Sequence, residues 1–267
     1  MERYANGKGG SGARRGLYTL RKAVAETGKG AAGLLLPPSC IVCGGRALNE
    51  ERISFRLPCD VPLCKRCLMS VVPYAKDRRF LPLLSQPYEG DELRAMPLYM
   101  PFPYDGFFRK AIPLIKFSGK RELAVFSGCL LGSIMRSDRV TGDLIVPVPL
   151  SGKRLRERGF NQASVIAHQV SEITGIPVID SVLMRTRETG RQTEIISSEE
   201  RSANVADAFE ADPSMYLENN RILLIDDVAT TGNTMHEAAA ALIRAGADEV
   251  IPVALCGNRN IRNDEPY

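Results

Sequence analysis

Residues 226–234 combine acidic and phosphate-binding character in one short stretch. Asp226 and Asp227 follow the apolar run ILLI, and a loop of small and hydroxylated residues comes next: Ala229, Thr230, Thr231, Gly232, Asn233 and Thr234. Backbone N–H groups in a glycine-containing turn at the start of a helix bind phosphate. Carboxylates accept hydrogen bonds from vicinal hydroxyls or bind Mg²⁺. A ribose 5-phosphate carries both kinds of group, so the stretch predicts a ligand of that type.

Two other interpretations compete for the same stretch. In the first, the two aspartates merely end a strand, and the threonines and Gly232 form a capped turn. In the second, the apolar run and its aspartate form the Walker B strand of a nucleoside triphosphatase, which requires a partner G-x-x-x-x-G-K-[ST] loop. The Gly-Lys pairs at 7, 28, 119 and 152 lack both the upstream glycine and the following Ser or Thr. The sequence therefore disfavours the triphosphatase.

A basic segment, predicted to be a loop, follows another apolar run, IVPV at 145–148. The segment contains Ser151, Gly152, Lys153, Arg154, Arg156 and Arg158. Parallel strands end at one edge of a sheet, so these residues are expected on the same side as the acidic pair. A polyanion is the predicted ligand, and a basic face that is simply solvated is the alternative.

Four cysteines in two close pairs predict a structural metal site. Cys40 and Cys43, then Cys64 and Cys67, give the spacing C-x2-C-x20-C-x2-C. This spacing lies in the range of four-cysteine zinc sites. Two glycines follow the first pair and allow backbone N–H groups to turn back toward the sulfur atoms. Redox chemistry at a C-x-x-C motif is the alternative, although one pair usually suffices for it.

The remaining cysteines and both histidines carry weaker signals. Cys59 is a spare thiol, either buried or a replacement zinc ligand. Cys129 lies in an apolar helical pattern and Cys256 ends an apolar run, so both are expected in the core. His168 and His236 are not expected to bind metal.

Helical patterns alternate with short apolar runs after residue 107, which is typical of a parallel α/β sheet with flanking helices. Helices are predicted over 122–135, 161–175 and 234–246, and strands over 143–150, 177–184, 221–226 and 248–256. Asn161 is expected to cap the second helix, and Gly175 and Gly246 are expected to end the second and third.

Composition divides the 267 residues into one main domain and a smaller module. We predict a basic, partly disordered tail over 1–33, a zinc module and linker over 34–95, the main domain over 96–258 and a second tail over 259–267. Residues 71–106 are rich in Pro and aromatics, which predicts an extended linker or irregular packing. The net charge of +4 is concentrated in the first thirty residues, so bulk charge does not argue for nucleic acid.

No run of eighteen apolar residues occurs, so no membrane span is expected. Arg14 and Arg15 suggest twin-arginine export, but Arg21, Lys22 and Glu26 interrupt the apolar stretch that an export signal needs. The cytoplasm is the expected compartment, where cysteines are thiols or metal ligands.

The stretch LLIDDVATTGNT resembles the phosphoribosyl pyrophosphate (PRPP) binding motif of type I phosphoribosyltransferases. Together with the segments at 145–163 and 185–209 and the approach to the first cysteine pair, LLLPPSCIVCG, it resembles the ComF/GntX family. The resemblance covers roughly residues 34–256. It implies a type I phosphoribosyltransferase-like sheet behind an N-terminal zinc module.

The resemblance also implies roles for individual residues. Asp226 and Asp227 would bind the ribose hydroxyls and Mg²⁺, and the 229–234 loop would bind the 5-phosphate. Ser151, Gly152 and Lys153 would contact pyrophosphate. Residues 186–203 would form a flexible loop that closes over PRPP through Arg191, Gln192 and Thr193. Residues 158–162 match the family's RGFNQ signature, in which we expect Arg158 to brace the loop or an anion.

Two functions follow from these patterns. One is a phosphoribosyltransferase that uses Mg²⁺ and PRPP, although no residue identifies its acceptor base. The other is a non-catalytic DNA-uptake protein, because some members of the family are linked to natural transformation. In that case Arg154, Arg156 and Arg158, the zinc module and the tail would bind single-stranded DNA or a helicase partner.

Overall fold

A six-stranded mixed sheet forms the centre of the structure, a computed structural model that describes residues 38–48, 61–83, 96–186 and 208–258. Its strands are β1 (Phe80–Leu83), β2 (Met96–Tyr99), β3 (Phe102–Pro103), β4 (Leu144–Pro147), β7 (Arg221–Ala229) and β8 (Glu249–Gly257), while β5 (Leu183–Arg185) and β6 (Phe209–Ala211) form a separate two-stranded sheet. The order is β1-β2-β8-β7-β4, and β3 also pairs with β8. Only β1 and β2 pair antiparallel within this sheet.

The expectations for residues 1–33 and 259–267, for Cys59, and for Arg191, Gln192 and Thr193 concern parts of the chain outside the described ranges.

Six α-helices lie within the described residues. They are α1 (Lys65–Met69), α2 (Gly106–Phe117), α3 (Arg121–Asp138), α4 (Gly152–Arg158), α5 (Gln162–Thr174) and α6 (Asn233–Arg244). Asn161 caps α5 by accepting a hydrogen bond from the Ala163 backbone, and Gly175 ends it with a φ of 81°. Both predictions are confirmed. None of these helices is long and apolar enough to cross a membrane.

Helices cover both faces of the sheet because the central strands are apolar on both faces. Along β7, Ile222 and Leu224 pack in the cluster that contains Leu242 of α6. Leu223 and Ile225 pack in the cluster formed with α3 and α5. This alternation follows from the two-residue period of a strand. The predicted α/β architecture is confirmed.

Two glycines allow α3 and α5 to pack closely. A Cβ atom at Gly128 would lie 2.7 Å from Gln169 Cβ and 2.8 Å from the Ile166 carbonyl oxygen. Gly132 has similarly tight neighbours across the same interface. Because α3 immediately precedes β4 in the chain, this packing helps to position β4 in the sheet.

Two sequence predictions about strands were wrong. Residues 71–106 are not simply a linker, since β1, β2 and β3 extend the sheet beyond β8. The strand predicted over 177–184 is also absent: Val178 makes one isolated bridge to Ile145, and Leu183 begins the separate β5–β6 ribbon. Asp180 interrupts the run, and its carboxylate accepts a hydrogen bond from Ser164 Oγ of α5.

The cysteine module packs directly on the main hydrophobic core. Cys40, Val61, Leu63 and Cys67 are buried in the same cluster as Phe107 at the start of α2. The module therefore buries apolar surface of the main domain, and changes in the module are expected to affect that core.

Candidate functional site

A cleft of about 330 Å³ opens at the edge of the sheet where β4 and β7 end. Its polar lining consists of Tyr104, Lys116, Arg154, Arg158, Asn161, Gln162, Arg185, Asp226, Asp227, Thr230 and Thr234. In open α/β sheets, ligands bind outside the carboxyl ends of the strands. The cleft therefore lies where the sequence predicted a site, and it gathers residues from four separate segments of the chain.

The acidic pair lies within β7, not after it. The strand continues to Ala229, because Asp226, Val228 and Ala229 keep their pairing with β8. The predicted strand end at Asp226 was therefore three residues short. The Asp227 backbone N–H donates to Asp226 Oδ1 at 2.7 Å, which fixes the first carboxylate. Asp227 is only 5% exposed.

Lys116, at the end of α2, forms an ion pair with Asp227. Its Nζ lies 2.9 Å from Asp227 Oδ1. Asp227 Oδ2 is buried and has no hydrogen-bond partner within the described part of the chain. Burial raises the pKa of Asp226, the charge of Asp227 raises it further, and Lys116 opposes both effects. Two crowded carboxylates thus share one ammonium group, which favours binding of a further cation or of hydroxyl donors.

The phosphate-type loop follows the pair directly. Gly232 has a φ of 83°, a left-handed conformation that glycine adopts readily, and it precedes α6. No side chain caps this helix, so its amino end keeps N–H groups available for an anion. Thr230 and Thr234 line the cleft, whereas Ala229, Thr231, Gly232 and Asn233 lie outside its lining.

The basic segment forms the short helix α4, not the predicted loop. Ser151 caps it by accepting a hydrogen bond from the Arg154 backbone. Arg154 and Arg158 lie four residues apart on one helical face and both line the cleft. Gly152, Lys153 and Arg156 are exposed and lie outside the lining, and Ser151 is buried. Because α4 is helical, Arg154 and Arg158 face the cleft and Arg156 does not.

The RGFNQ stretch connects α4 to α5 and braces the cleft. Gly159 ends α4 with a φ of 77°. Asn161 Nδ2 donates to the Val148 carbonyl, which ties the α5 cap to the end of β4. Arg158 Nη1 donates to Gln162 Oε1 at 2.9 Å. Burial lowers the pKa of Arg158, and the charge of Asp227 acts in the opposite direction.

Among the lining residues with a charged or aromatic side chain, sequence reasoning missed Tyr104, Lys116, Phe117 and Arg185. Only Lys116 had a usable local signal, since it interrupts the apolar face of FFRKAIPLIKF. The others come from segments whose position depends on the tertiary fold. Phe117 is 79% exposed, and the Arg158 guanidinium lies 5.8 Å from the centroid of its ring.

Burial controls the two titratable residues that follow the phosphate-type loop. His236 is partly buried, its Nδ1 has no partner in the described ranges, and burial lowers its pKa. Burial raises the pKa of Glu237 to about 7, although Arg185 opposes that shift. The first turn of α6 is therefore less charged near neutral pH than its sequence suggests.

Glu237→Gln is expected to raise the melting temperature at pH 8 and to leave it nearly unchanged at pH 4.5. The folded chain binds the Glu237 proton more tightly than the unfolded chain does. The contribution of this proton to stability is therefore complete below the ordinary pKa of glutamate and is lost as the pH rises through about 7. Thermal melts at both pH values test this, with exposed Glu172→Gln as the control. An equal shift at both pH values would contradict the assignment.

The four predicted cysteines converge on one point. Their sulfur atoms all lie within 4.8 Å of one another, and Cys43 Sγ lies 3.5 Å from Cys64 Sγ. A tetrahedral zinc with Zn–S bonds of about 2.3 Å places its sulfur atoms about 3.8 Å apart, so the cluster fits such an ion. As expected, a backbone N–H group points back at a sulfur atom, since the Gly45 N–H hydrogen-bonds to Cys43. This hydrogen bond, and to a lesser extent the one with the Cys64 thiol, lowers the pKa of Cys43 to about 6.

Comparison with known proteins agrees with these features. Residues 126–267 match the family model of the phosphoribosyl transferase domain. DNA utilization protein YhgH of Escherichia coli (strain K12) is 34% identical over 147 residues, which cover 53% of this chain and 63% of that protein. Competence protein F of Haemophilus influenzae is 34% identical over 113 residues, which cover 40% of this chain and 47% of that protein. The chain matches less than two thirds of the length of either relative.

Among solved structures, glutamine PRPP amidotransferase from B. subtilis is 22% identical, with a TM-score of 0.39, over 54% of this chain and 30% of that one. The family model, in contrast, matches more than half of the chain, from residue 126 to residue 267. The protein therefore belongs to the phosphoribosyl transferase domain family.

Proposed function

We propose that the cleft binds PRPP, or a related ribose 5-phosphate ligand, together with Mg²⁺. The observation that carries the proposal is Asp227, a buried carboxylate whose second oxygen has no partner in the described ranges, beside a glycine turn at the start of α6. The carboxylates suit ribose hydroxyls and the cation, while the turn suits a phosphate. A ligand that satisfies both must carry a sugar and a phosphate close together.

The arginines of the cleft suit the pyrophosphate group. Arg154 and Arg158 point to the same cleft from α4, and Arg185 joins them from β5. Arginine binds phosphate oxygens through two parallel hydrogen bonds. This assignment moves the pyrophosphate contacts from Ser151, Gly152 and Lys153, which the resemblance favoured, to Arg154 and Arg158 of the same helix. Bound Mg²⁺ would neutralise part of the phosphate charge through oxygen ligands that include the acidic pair.

Transfer of the phosphoribosyl group would depend mainly on positioning. The acidic pair would orient the ribose, and the arginines would stabilise the departing pyrophosphate. The described cleft residues assign no acceptor base. Ligand binding is therefore the part of the proposal that the geometry supports best.

Thermal melts and calorimetry with Mg²⁺ and PRPP test the proposal. Ligand at a hundred times its Kd is expected to stabilise the fold by about 2.7 kcal/mol, which corresponds to a rise of roughly 5–10 °C for a domain of this size. Ribose 5-phosphate and pyrophosphate tested separately should each give a smaller rise. A larger response to ATP than to PRPP, or no response to PRPP, would contradict the proposal.

The cysteine module is proposed to hold a structural Zn²⁺ with Cys40, Cys43, Cys64 and Cys67 as its ligands. Burial raises the pKa of Cys67, and metal binding would displace its proton. The zinc would close the module and have no part in the chemistry of the cleft. The cytoplasm, the compartment that we propose, keeps the thiols reduced and available to the metal.

A second function, binding of single-stranded DNA, has separate support. A groove of about 210 Å³ lies between α1 and α2 and is lined by Arg66, Arg109 and Lys110. These cations lie beside the cysteine module, and the named relatives include a DNA utilization protein. A phosphate backbone is the anion that the groove would contact.

Arg109→Ala with Lys110→Ala is expected to weaken binding of a labelled oligo(dT) and to reduce its salt dependence. Each lost phosphate contact lowers the slope of log affinity against log salt by about 0.7. Fluorescence anisotropy between about 50 and about 200 mM salt measures both quantities. Exposed Arg136→Ala on α3 is the control. Binding that is insensitive to salt, or unchanged in the double variant, would remove this function.

A further inference from the structure

We propose that Lys116 makes the acidic pair selective, so that a divalent cation enters with a phosphorylated ligand and a free divalent cation is kept out. Lys116 is a positioning residue in this proposal. Its ammonium group stays paired with Asp227 until it can pair with a phosphate of the ligand instead. The role of the ligand depends on the proposed function, whereas the exclusion of free cation does not.

The structure holds Lys116 firmly against the pair. The Lys116 Nζ to Asp227 Oδ1 distance is 2.9 Å, and the two side chains are 22% and 7% exposed. The helix that carries Lys116 is anchored by Phe107, Ile112 and Ile115, which are all at most 2% exposed. The ammonium group is thus part of the cleft when no ligand is bound.

The pair has the capacity to bind a second cation. Asp227 Oδ2 is buried, lacks a partner among the described residues, and belongs to a side chain that lines the cleft. Asp226 lies beside it and is fixed by the Asp227 backbone N–H. One ammonium group faces two carboxylates, so the pair carries an excess of negative charge when both are ionised. A divalent cation would be attracted by this excess and repelled by Lys116.

The two cations cannot share the pair without a change in geometry. Mg²⁺ binds carboxylate oxygens at about 2.1 Å, so a cation on Asp227 would lie close to an ammonium group that is already in contact with the same carboxylate. Like charges at such a separation repel strongly where the surroundings are partly buried. Entry of the cation therefore requires Lys116 to move away or to be neutralised by another anion.

A phosphorylated ligand provides that anion. Arg154, Arg158 and Arg185 line the same cleft, so phosphate groups bound there would lie near the Lys116 side chain. Lysine has a flexible four-carbon stem that can redirect its charge over several ångströms. The ammonium could pair with a ligand phosphate and release Asp227 to the cation. Binding of the ligand and of the cation would then favour each other.

Titration with Mn²⁺ alone, followed by electron paramagnetic resonance, tests the exclusion of free cation in the full chain. Lys116→Met is expected to bind Mn²⁺ at least about tenfold more tightly than the unchanged protein. The double variant Lys116→Met/Asp227→Asn should lose that gain, which would locate the added ion at the pair. Lys120→Met, an exposed lysine just before α3, is the control. An unchanged or weaker affinity in both Lys116→Met and Lys116→Gln, with folding verified by circular dichroism, would overturn the proposal.

A second titration with PRPP present separates this inference from the proposed function. PRPP is expected to increase the Mn²⁺ affinity of the unchanged protein more than that of Lys116→Met. Equal increases in both proteins would overturn the role of Lys116 while leaving PRPP binding intact. If PRPP affects neither protein, the proposed function fails, and the titration with Mn²⁺ alone still decides whether Lys116 excludes free cation.

Discussion

Asp226→Asn and Asp227→Asn are each expected to abolish the rise in melting temperature that Mg²⁺ and PRPP produce. Both carboxylates would contact the ribose or the cation, and asparagine retains the shape without the charge. The two variants should also shift the melting temperature of the ligand-free protein in opposite directions. This opposite behaviour separates loss of a ligand contact from general damage to the fold.

The direction of each shift follows from the surroundings of each carboxylate. Burial and the neighbouring Asp227 charge raise the pKa of Asp226, so a neutral amide relieves an unfavourable charge and stabilises the free protein. Asp227→Asn breaks the 2.9 Å pair with Lys116 and leaves a partly buried ammonium group, which destabilises it. Melting curves with and without ligand measure both effects, with exposed Asp77→Asn as the control. The assignment is wrong if either variant keeps the full response to the ligand.

The half of the site that is continuous in sequence could be predicted, because one strand, one turn and one helix contain it. The acidic pair, Gly232 and the start of α6 follow from apolar patterning and turn chemistry alone. The arginines of α4 were identified as a group, but only the helix shows that Arg154 and Arg158 share a face. Lys116 interrupts an apolar helical face, but the sequence could not assign it to the site because its partner Asp227 lies far along the chain.

The edge of the sheet was missed for a different physical reason. β1, β2 and β3 are short and contain Pro82, Pro97 and Pro103, and proline normally argues against a strand. However, β1 is an edge strand, β3 pairs only with β8, and β2 pairs with β8 only at Tyr99, so most positions in these strands have a ladder partner on one side only and tolerate proline. Tyr99 is nevertheless fully buried, and its hydroxyl donates to Asp138 Oδ2 at the end of α3. Burial against the core thus compensates for weak strand propensity.

Cys64→Ser is expected to release the bound metal and to lower the melting temperature of the whole chain. Structural zinc contributes roughly 10–16 kcal/mol of apparent binding energy in zinc-finger peptides, and this energy supports folding directly. In this protein the loss should extend beyond the module, since Cys40, Leu63 and Cys67 are buried in the same cluster as Phe107 of α2. Because α2 also carries Lys116, whose ammonium group would pair with a ligand phosphate, the affinity for PRPP should fall as well.

Metal analysis and thermal melts of the same samples test this expectation. The unchanged protein should contain one zinc per chain, and Cys64→Ser should contain much less. Cys129→Ala is the matched control: Cys129 is buried in α3, away from the cluster of four sulfurs, so this variant should keep its metal. A Cys64→Ser chain that retains stoichiometric zinc would exclude Cys64 as a ligand. A chain that loses zinc without any change in melting temperature would contradict the expected contribution of the metal to the stability of the fold.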